Sequence, residues 1–259
     1  MKFRTILYII IGVPVFLSLA WLFVIPTSLI QERIEDAIAS SGNGELSLSV
    51  SGLRKGIFLN LYAENLTLEL DQKPALEIVD FRMNITPRHL SDFRIAFTIN
   101  GEMGGGKVHG TLKLPLDGTI YIEQAELNDI PYLKRVGINI YGNMSSEILL
   151  KGESVKAVFR IPDLNIGDSA ITVIPLINSF RKMQGVLSLT GNNLKVDSVS
   201  LDGDKGYARL KGTITNGNMD LSLEMMPEAS KLNAMESMLI GKYIISPGHY
   251  VIPIKGRLP

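Results

Sequence analysis

The sequence predicts a mainly β chain: an N-terminal transmembrane helix followed by a curved antiparallel β-sheet, half-open as a groove or sandwich-like, with a few short helices. Three observations carry this reading. Twenty residues near the N-terminus carry no charge, the apolar period changes from 3.6 to 2 at Leu46, and Asn-Gly or Asp-Gly pairs punctuate the alternating segments that follow. These signals divide the chain into an N-terminal tip and anchor (1–27), an amphipathic helical stalk (28–42) and one β domain (43–259).

The uncharged run spans Ile6 to Ile25. At about 1.5 Å per residue a helix of this length covers roughly 30 Å, the thickness of a hydrocarbon core. A cleaved signal peptide would carry small residues after a shorter apolar stretch, whereas Trp21, Phe23, Pro26 and Thr27 stand there. We therefore expect an uncleaved anchor, with Ile6, Ile10, Phe16, Trp21 and Ile25 facing lipid and Pro14 introducing a slight kink. Lys2 and Arg4 precede the run, while Glu32, Glu35 and Asp36 follow it with only Arg33, so the N-terminus is expected in the cytoplasm and the remainder across the membrane.

After the anchor, Ser28 and Gln31 have the spacing of a capping box, and Leu29, Ile30, Ile34, Ala37 and Ile38 recur at helical spacing until Gly42. This apolar face would lie on the bilayer or plug the end of the following domain. Strands begin at Leu46. Leu59, Leu61 and Ala63 share one parity and Leu66, Leu68 and Leu70 the other, a slip at Glu64-Asn65 that a β-bulge produces. Ile95, Phe97 and Ile99 lead to Asn100-Gly101, Leu112 and Leu114 to Asp117-Gly118, and Ile120 and Ile122 follow. Leu187 and Leu189, Val199 and Leu201, Leu210 and Ile214, and Leu221 and Leu223 repeat the pattern around Asp202-Gly203 and Asn216-Gly217. Such dipeptides favour hairpin turns because both central residues of a type I′ turn need positive φ.

Three segments are expected to be helical: one capped by Asp129 and stopping at Gly137, one from Pro175 to Gly185, and one from Ser230 to Leu239 with Leu232, Met235 and Met238 on a single face. A faint repeat, apolar-x-Gly-polar, places Gly110, Gly152, Gly191, Gly212 and Gly256 at comparable phase, which suggests strand bends and a sheet that curves systematically.

Composition narrows the chemistry. Twenty-six basic residues balance 26 acidic ones, leaving no basic excess for nucleic acid. The absence of Cys removes thiolate chemistry, and His89, His109 and His249 show no metal or triad spacing. Gly101-Glu-Met-Gly-Gly-Gly-Lys107 lacks the hydroxyl residue and following helix of a phosphate loop, because Val108 begins an alternating strand. We expect no enzyme, no metal and no cofactor. Arg54-Lys55, Lys134-Arg135 and Arg181-Lys182 read as solvated charge. What rises above background is the apolar face, which must be covered by a second sheet, by curling, or by ligand. Its candidate lining is Leu59, Leu61, Leu66, Leu68, Ile95, Phe97, Ile99, Leu112, Leu114, Ile120, Ile122, Leu187, Leu189, Leu221 and Leu223.

The order of features resembles the GspN family of type II secretion proteins, relatives of the AsmA-like inner-membrane proteins. The stretches that carry it are the anchor, Ala63-Glu-Asn-Leu-Thr-Leu-Glu-Leu70, Asn100-Gly-Glu-Met-Gly-Gly-Gly-Lys-Val-His-Gly-Thr111 and Ile130-Pro-Tyr-Leu133. Gly185-Val-Leu-Ser-Leu-Thr-Gly191, Leu210-Lys-Gly-Thr-Ile214 and the ending Ile254-Lys-Gly-Arg-Leu-Pro259 complete it. The resemblance implies a bacterial inner-membrane location with a periplasmic β domain, partners within a secretion apparatus and a place for phospholipid. It transfers no catalytic residue. An AsmA-like phospholipid carrier independent of secretion is the alternative.

Overall fold

The computed structural model describes residues 12–13, 15–16, 18–41, 46–86, 95–167 and 176–257. Residues 12–13, 15–16 and 18–23 are helical. Ile6 and Ile10 lie outside the described residues, as do Lys2, Arg4, Pro14 and His89. Among the described residues no helix is long and apolar enough to cross a membrane.

The body is mainly β. After helix α1 (Thr27–Ser41) come β1 (Leu46–Ser51), β2 (Arg54–Lys55), β3 (Leu61–Leu70), β4 (Lys73–Ile85), β5 (Ala96–Met103), β6 (Gly106–Lys113) and β7 (Asp117–Glu126). They are followed by α2 (Pro131–Arg135), β8 (Ile140–Tyr141), β9 (Asn143–Lys151), β10 (Ser154–Ile161), β11 (Asn165–Ile166), β12 (Phe180–Thr190), β13 (Asn193–Gly203), β14 (Gly206–Thr215) and β15 (Asn218–Pro227). Helix α3 (Ala234–Gly241), β16 (Ile244–Ser246) and β17 (His249–Arg257) close the order. The large antiparallel sheet has the strand order β1-β3-β4-β5-β6-β7-β9-β10-β12-β13-β14-β15-β17-β16, with β2 on β3, while β8 and β11 form a separate pair. Two compact units result, one of residues up to Met103 with Lys107–Leu114, the other of Gly104–Gly106 with Pro115 onward.

In the first unit α1 packs on β1. Gln31 Nε2 donates to Glu35 Oε1 and to the Val50 carbonyl, both at 2.9 Å, and the Val50 amide donates to Glu35 Oε1 at 3.1 Å. Gln31 thus ties the helix to the strand in place of the expected capping box. The slip expected at Glu64-Asn65 is not there: Ala63 opposite Phe81 and Asn65 opposite Val79 keep one register, and the irregularity between β3 and β4 falls at Leu68-Glu69. On its other side β4 carries one extra residue against β5 between Val79 and Arg82, where Asp80 has φ 50°.

Asn100-Gly101 is not a turn: it lies inside β5, and the chain reverses at Gly104-Gly105, where φ is 53° and 70°. Gly101 serves packing, since a Cβ there would sit 2.7 Å from Ile78 Cγ2. Asp202-Gly203 likewise ends β13, and the turn falls on Asp204-Lys205; Asn216-Gly217 is the turn expected, with φ 49° and 76°. Two of the five repeat glycines, Gly152 and Gly191, occupy two-residue turns, so the repeat does not mark five strand bends.

The second unit corrects two helices. Pro175 lies outside the described residues, and from Ile177 only a single 3-10 turn (Ile177–Ser179) precedes β12, which contains Gly185. Its period is 2 because Met183, Gly185 and Leu187 pair with Leu201, Val199 and Val196. Helix α3 is capped by Asn233, whose side chain accepts from the Glu236 amide while the Glu236 side chain accepts from the Asn233 amide. It faces the core through Ile240, while Met235 and Met238 of the expected apolar face are exposed. Near α2, Asp129 makes no helix cap and pairs with Lys134 at 3.3 Å.

Candidate functional site

Within the second unit, alternation lays apolar side chains in rows that run across the strands. One row joins Ile161, Met183, Leu201, Ala208, Met225 and Tyr250, each directly opposite the next. A neighbouring row joins Phe159, Gly185, Val199, Leu210, Leu223 and Ile252. These rows are covered. Leu127, Ile130, Ile140, Leu164, Ile166 and Phe180 form one buried cluster with Ala208, Leu223, Met225 and Ile252, and Tyr132, Leu133 and Ile138 pack against it. The cover is held by backbone bonds: the Leu164 amide donates to the Arg181 carbonyl at 2.7 Å, and Ile140 pairs with Ile166.

A third row lies toward the Gly152, Gly191 and Asn216 turns. It joins Leu150, Val155, Leu189, Leu194, Ile214 and Met219, again each opposite the next. Five of these residues are half-buried and Leu189 is 38% exposed. Among the described residues no member of the buried covering cluster packs on this row; Ile214 and Met219 pack instead against the sheet's own Val196, Val199 and Leu221.

Polar residues alternate with these rows. Lys211 pairs with Glu224, Lys195 with Asp197 at 2.6 Å and Lys255 with Asp220 at 3.4 Å. Asp197 is the extra residue of a bulge in β13. Hydrogen bonds from Lys195 and from Ser188 hold its carboxyl below the usual range. Lys211 does the same for Glu224. None of these charges belongs to the apolar rows, so the face has the chemistry of an aliphatic surface.

The predicted lining divides accordingly. Ile120 and Leu187 are half-buried on the second unit's face, Leu189 is exposed at its open row, and Ile122, Leu221 and Leu223 are buried. In the first unit Leu61 and Ile99 are buried, Leu66, Leu68, Phe97 and Leu112 are half-buried, and Ile95 and Leu114 are exposed where the Leu114 amide donates to the Ile95 carbonyl at 2.9 Å. Leu59 does not line a groove: it sits in the tight loop between β2 and β3 at φ 62° and is exposed. The strand pattern starts only at Leu61, because the chain reverses through Phe58-Leu59.

A second apolar feature belongs to the first unit. A cleft of about 510 Å³ is lined by Trp21, Ile25, Leu29, Ile34, Ile38 and Leu48, together with Arg33. The stalk's apolar residues thus line an open cleft beside β1, and none of Leu29, Ile30, Ile34, Ala37 and Ile38 is buried. Phe16 is exposed on the N-terminal helix. A polar cleft on the same unit gathers Asp80, Arg82, Glu102, Lys107 and His109. Among the described residues no group of three His, Cys, Asp or Glu side chains could hold a metal ion.

Sequence reasoning found the Asp129–Gly137 segment as a short helix but not its role as cover, and it missed the cover contributed by Leu127, Ile140, Leu164 and Ile166. Apart from Pro131 at a helix start, its local signal was the short Leu164-Asn165-Ile166 alternation. No family model matches the chain, and neither the curated proteins nor the solved structures contain a match.

Proposed function

We propose that this is a single-pass bacterial inner-membrane protein with a cytoplasmic N-terminus, whose periplasmic sheet serves as an accessory component of type II secretion resembling GspN and holds lipid on its apolar face. The observation that carries the lipid part is the row Leu150, Val155, Leu189, Leu194, Ile214 and Met219, which continues the covered core and which, among the described residues, the covering cluster does not reach. Six strands at about 4.8 Å spacing make this row roughly 24 Å long. That length exceeds the ~15 Å occupied by one leaflet's acyl chains in a ~30 Å hydrocarbon core. An aliphatic strip with its charges on the alternating residues accommodates a chain of methylenes without desolvating a polar group.

The anchor part rests on the uncharged Ile6–Ile25 run and on the charges that flank it. The secretion part rests on the order and spacing of the resemblance. The same open row equally suits an AsmA-like phospholipid carrier that works without a secretion machine.

One experiment addresses the lipid. The full chain is extracted from membranes in mild detergent and its bound lipid is quantified by mass spectrometry, beside a Leu189→Asp variant. Stoichiometric phospholipid that is lost in the variant supports the reading; a lipid-free protein refutes it. Loss of export of secreted enzymes on deleting the gene separates the secretion component from the independent carrier.

A further inference from the structure

The loop between β2 and β3, Gly56-Ile57-Phe58-Leu59-Asn60, is uncharged, and its three large apolar side chains point away from the core: Ile57 is 58% exposed, Phe58 55% and Leu59 43%. Backbone conformation makes this arrangement costly. Phe58 and Leu59 both hold positive φ, 54° and 62°, a region that bulky L-residues rarely enter. The loop is nevertheless closed by its own bonds, from the Gly56 amide to the Asn60 carbonyl at 2.9 Å and from the Asn60 amide to the Ile57 carbonyl at 3.3 Å. A strained backbone that presents three apolar side chains outward gains nothing from the core.

The loop's position identifies what it meets. Trp21 Nε1 donates to the Gly56 carbonyl at 3.1 Å. Lys55 Nζ, next in the chain, donates to the Trp21 and Leu22 carbonyls at 2.8 Å and also to Ile25, satisfying the last carbonyls of the N-terminal helix. Those carbonyls belong to the end of the uncharged Ile6–Ile25 run, where Phe23 and Val24 are also strongly exposed. A Trp at the end of an apolar run marks the level of the membrane interface. The hairpin is therefore clamped at that level, with its apolar tip beside the helix.

We propose that Ile57, Phe58 and Leu59 form a second membrane contact, inserting into the headgroup–acyl boundary of the leaflet through which the anchor exits. This rests on reading the N-terminal run as a membrane span. The contact fixes the tilt and rotation of the first unit on the bilayer, since one helix alone leaves a swivel whereas two contacts do not. The Lys55 and Trp21 bonds make the helix end and the loop one rigid piece.

The chain has no Cys, so single cysteines report cleanly. Phe58→Cys, Phe16→Cys and Lys73→Cys, all at exposed positions, are labelled with an environment-sensitive fluorophore in the full chain and reconstituted into phosphatidylethanolamine–phosphatidylglycerol vesicles. Spin-labelled lipids then quench by depth. The proposal expects a blue-shifted label at position 58, quenched several-fold more by nitroxides near the headgroup than by nitroxides near the acyl terminus, and an unquenched label at 73. A water-exposed label at 58 with a deeply quenched label at 16 overturns the loop contact and leaves the anchor standing. Unquenched labels at both 16 and 58 overturn the anchor and the loop contact together.

Discussion

The two ends of the apolar face in the second unit are built from the same strands, the same alternation and the same residue types, yet they differ in what lies over them. At one end Leu164 and Phe180 join Leu223 and Met225 in a buried cluster. At the other, Leu189, Leu194 and Ile214 continue the rows with, among the described residues, only their sheet neighbours beside them. Alternation therefore creates an apolar face without deciding whether it becomes core or surface. That decision belongs to segments outside the large sheet, chiefly Leu127–Asp129, Pro131–Arg135 and the β8–β11 pair.

The largest expected effect breaks the covered end. Leu223 is 1% exposed, and Leu223→Asp buries an uncompensated carboxylate, so denaturation of the detergent-solubilised chain should show a loss of about 4 kcal/mol. Leu164→Ala removes a buried side chain from the cover itself. A loss of about 3 kcal/mol is expected, with residual lipid binding unchanged, because the open row is untouched. Asn233→Ala deletes the cap of α3 and should cost about 1 kcal/mol, read by the same melt.

Acid sharpens the comparison, since each end carries a depressed carboxyl. Hydrogen bonds from Lys205 and then from the Asn233 amide lower Glu236, whose helix buries Ile240; Lys195 and Ser188 lower Asp197 in the bulge beside the open row. A carboxyl depressed in the fold contributes stability that is complete above its unfolded pKa and is lost as pH falls through its folded one. Melting temperature should therefore decline as pH drops below roughly 4, and Glu236→Gln and Asp197→Asn should each flatten part of that decline. The smallest effect on stability is expected at Leu189→Asp, within about 0.5 kcal/mol, since the side chain is already partly in water. That variant should lose lipid while keeping its melt, the outcome that most separates the two ends.

Much of the fold was legible locally. Leu187 and Leu189, Leu210 and Ile214, and Leu221 and Leu223 read as strands because period 2 is a property of the backbone, and Asn216-Gly217 read as a turn because few residues accept positive φ in succession. The failures share a cause. Asn100-Gly101 and Asp202-Gly203 look like turns, but their glycines answer a different demand, the close approach of Ile78 to one and of the Ser179 carbonyl to the other. Pro175 to Gly185 looked helical because one glycine can stop a helix or make room inside a strand, and only the partner strand distinguishes the two. Met235 and Met238 held helical spacing, yet Ile240 was the residue turned inward.

The residue pattern alone determined an uncharged run long enough for a bilayer, a hairpin-built antiparallel body and a chemistry without thiols. Such features follow from side-chain polarity and from φ preferences that act within a few residues. Tertiary structure alone decided which part of the apolar face is capped, that Gln31 and Glu35 bind the edge of β1, and that Lys55 and Trp21 clamp an apolar loop to the helix end. These depend on partners far apart in the chain, and burial is a property of what packs above a side chain, which no local periodicity encodes.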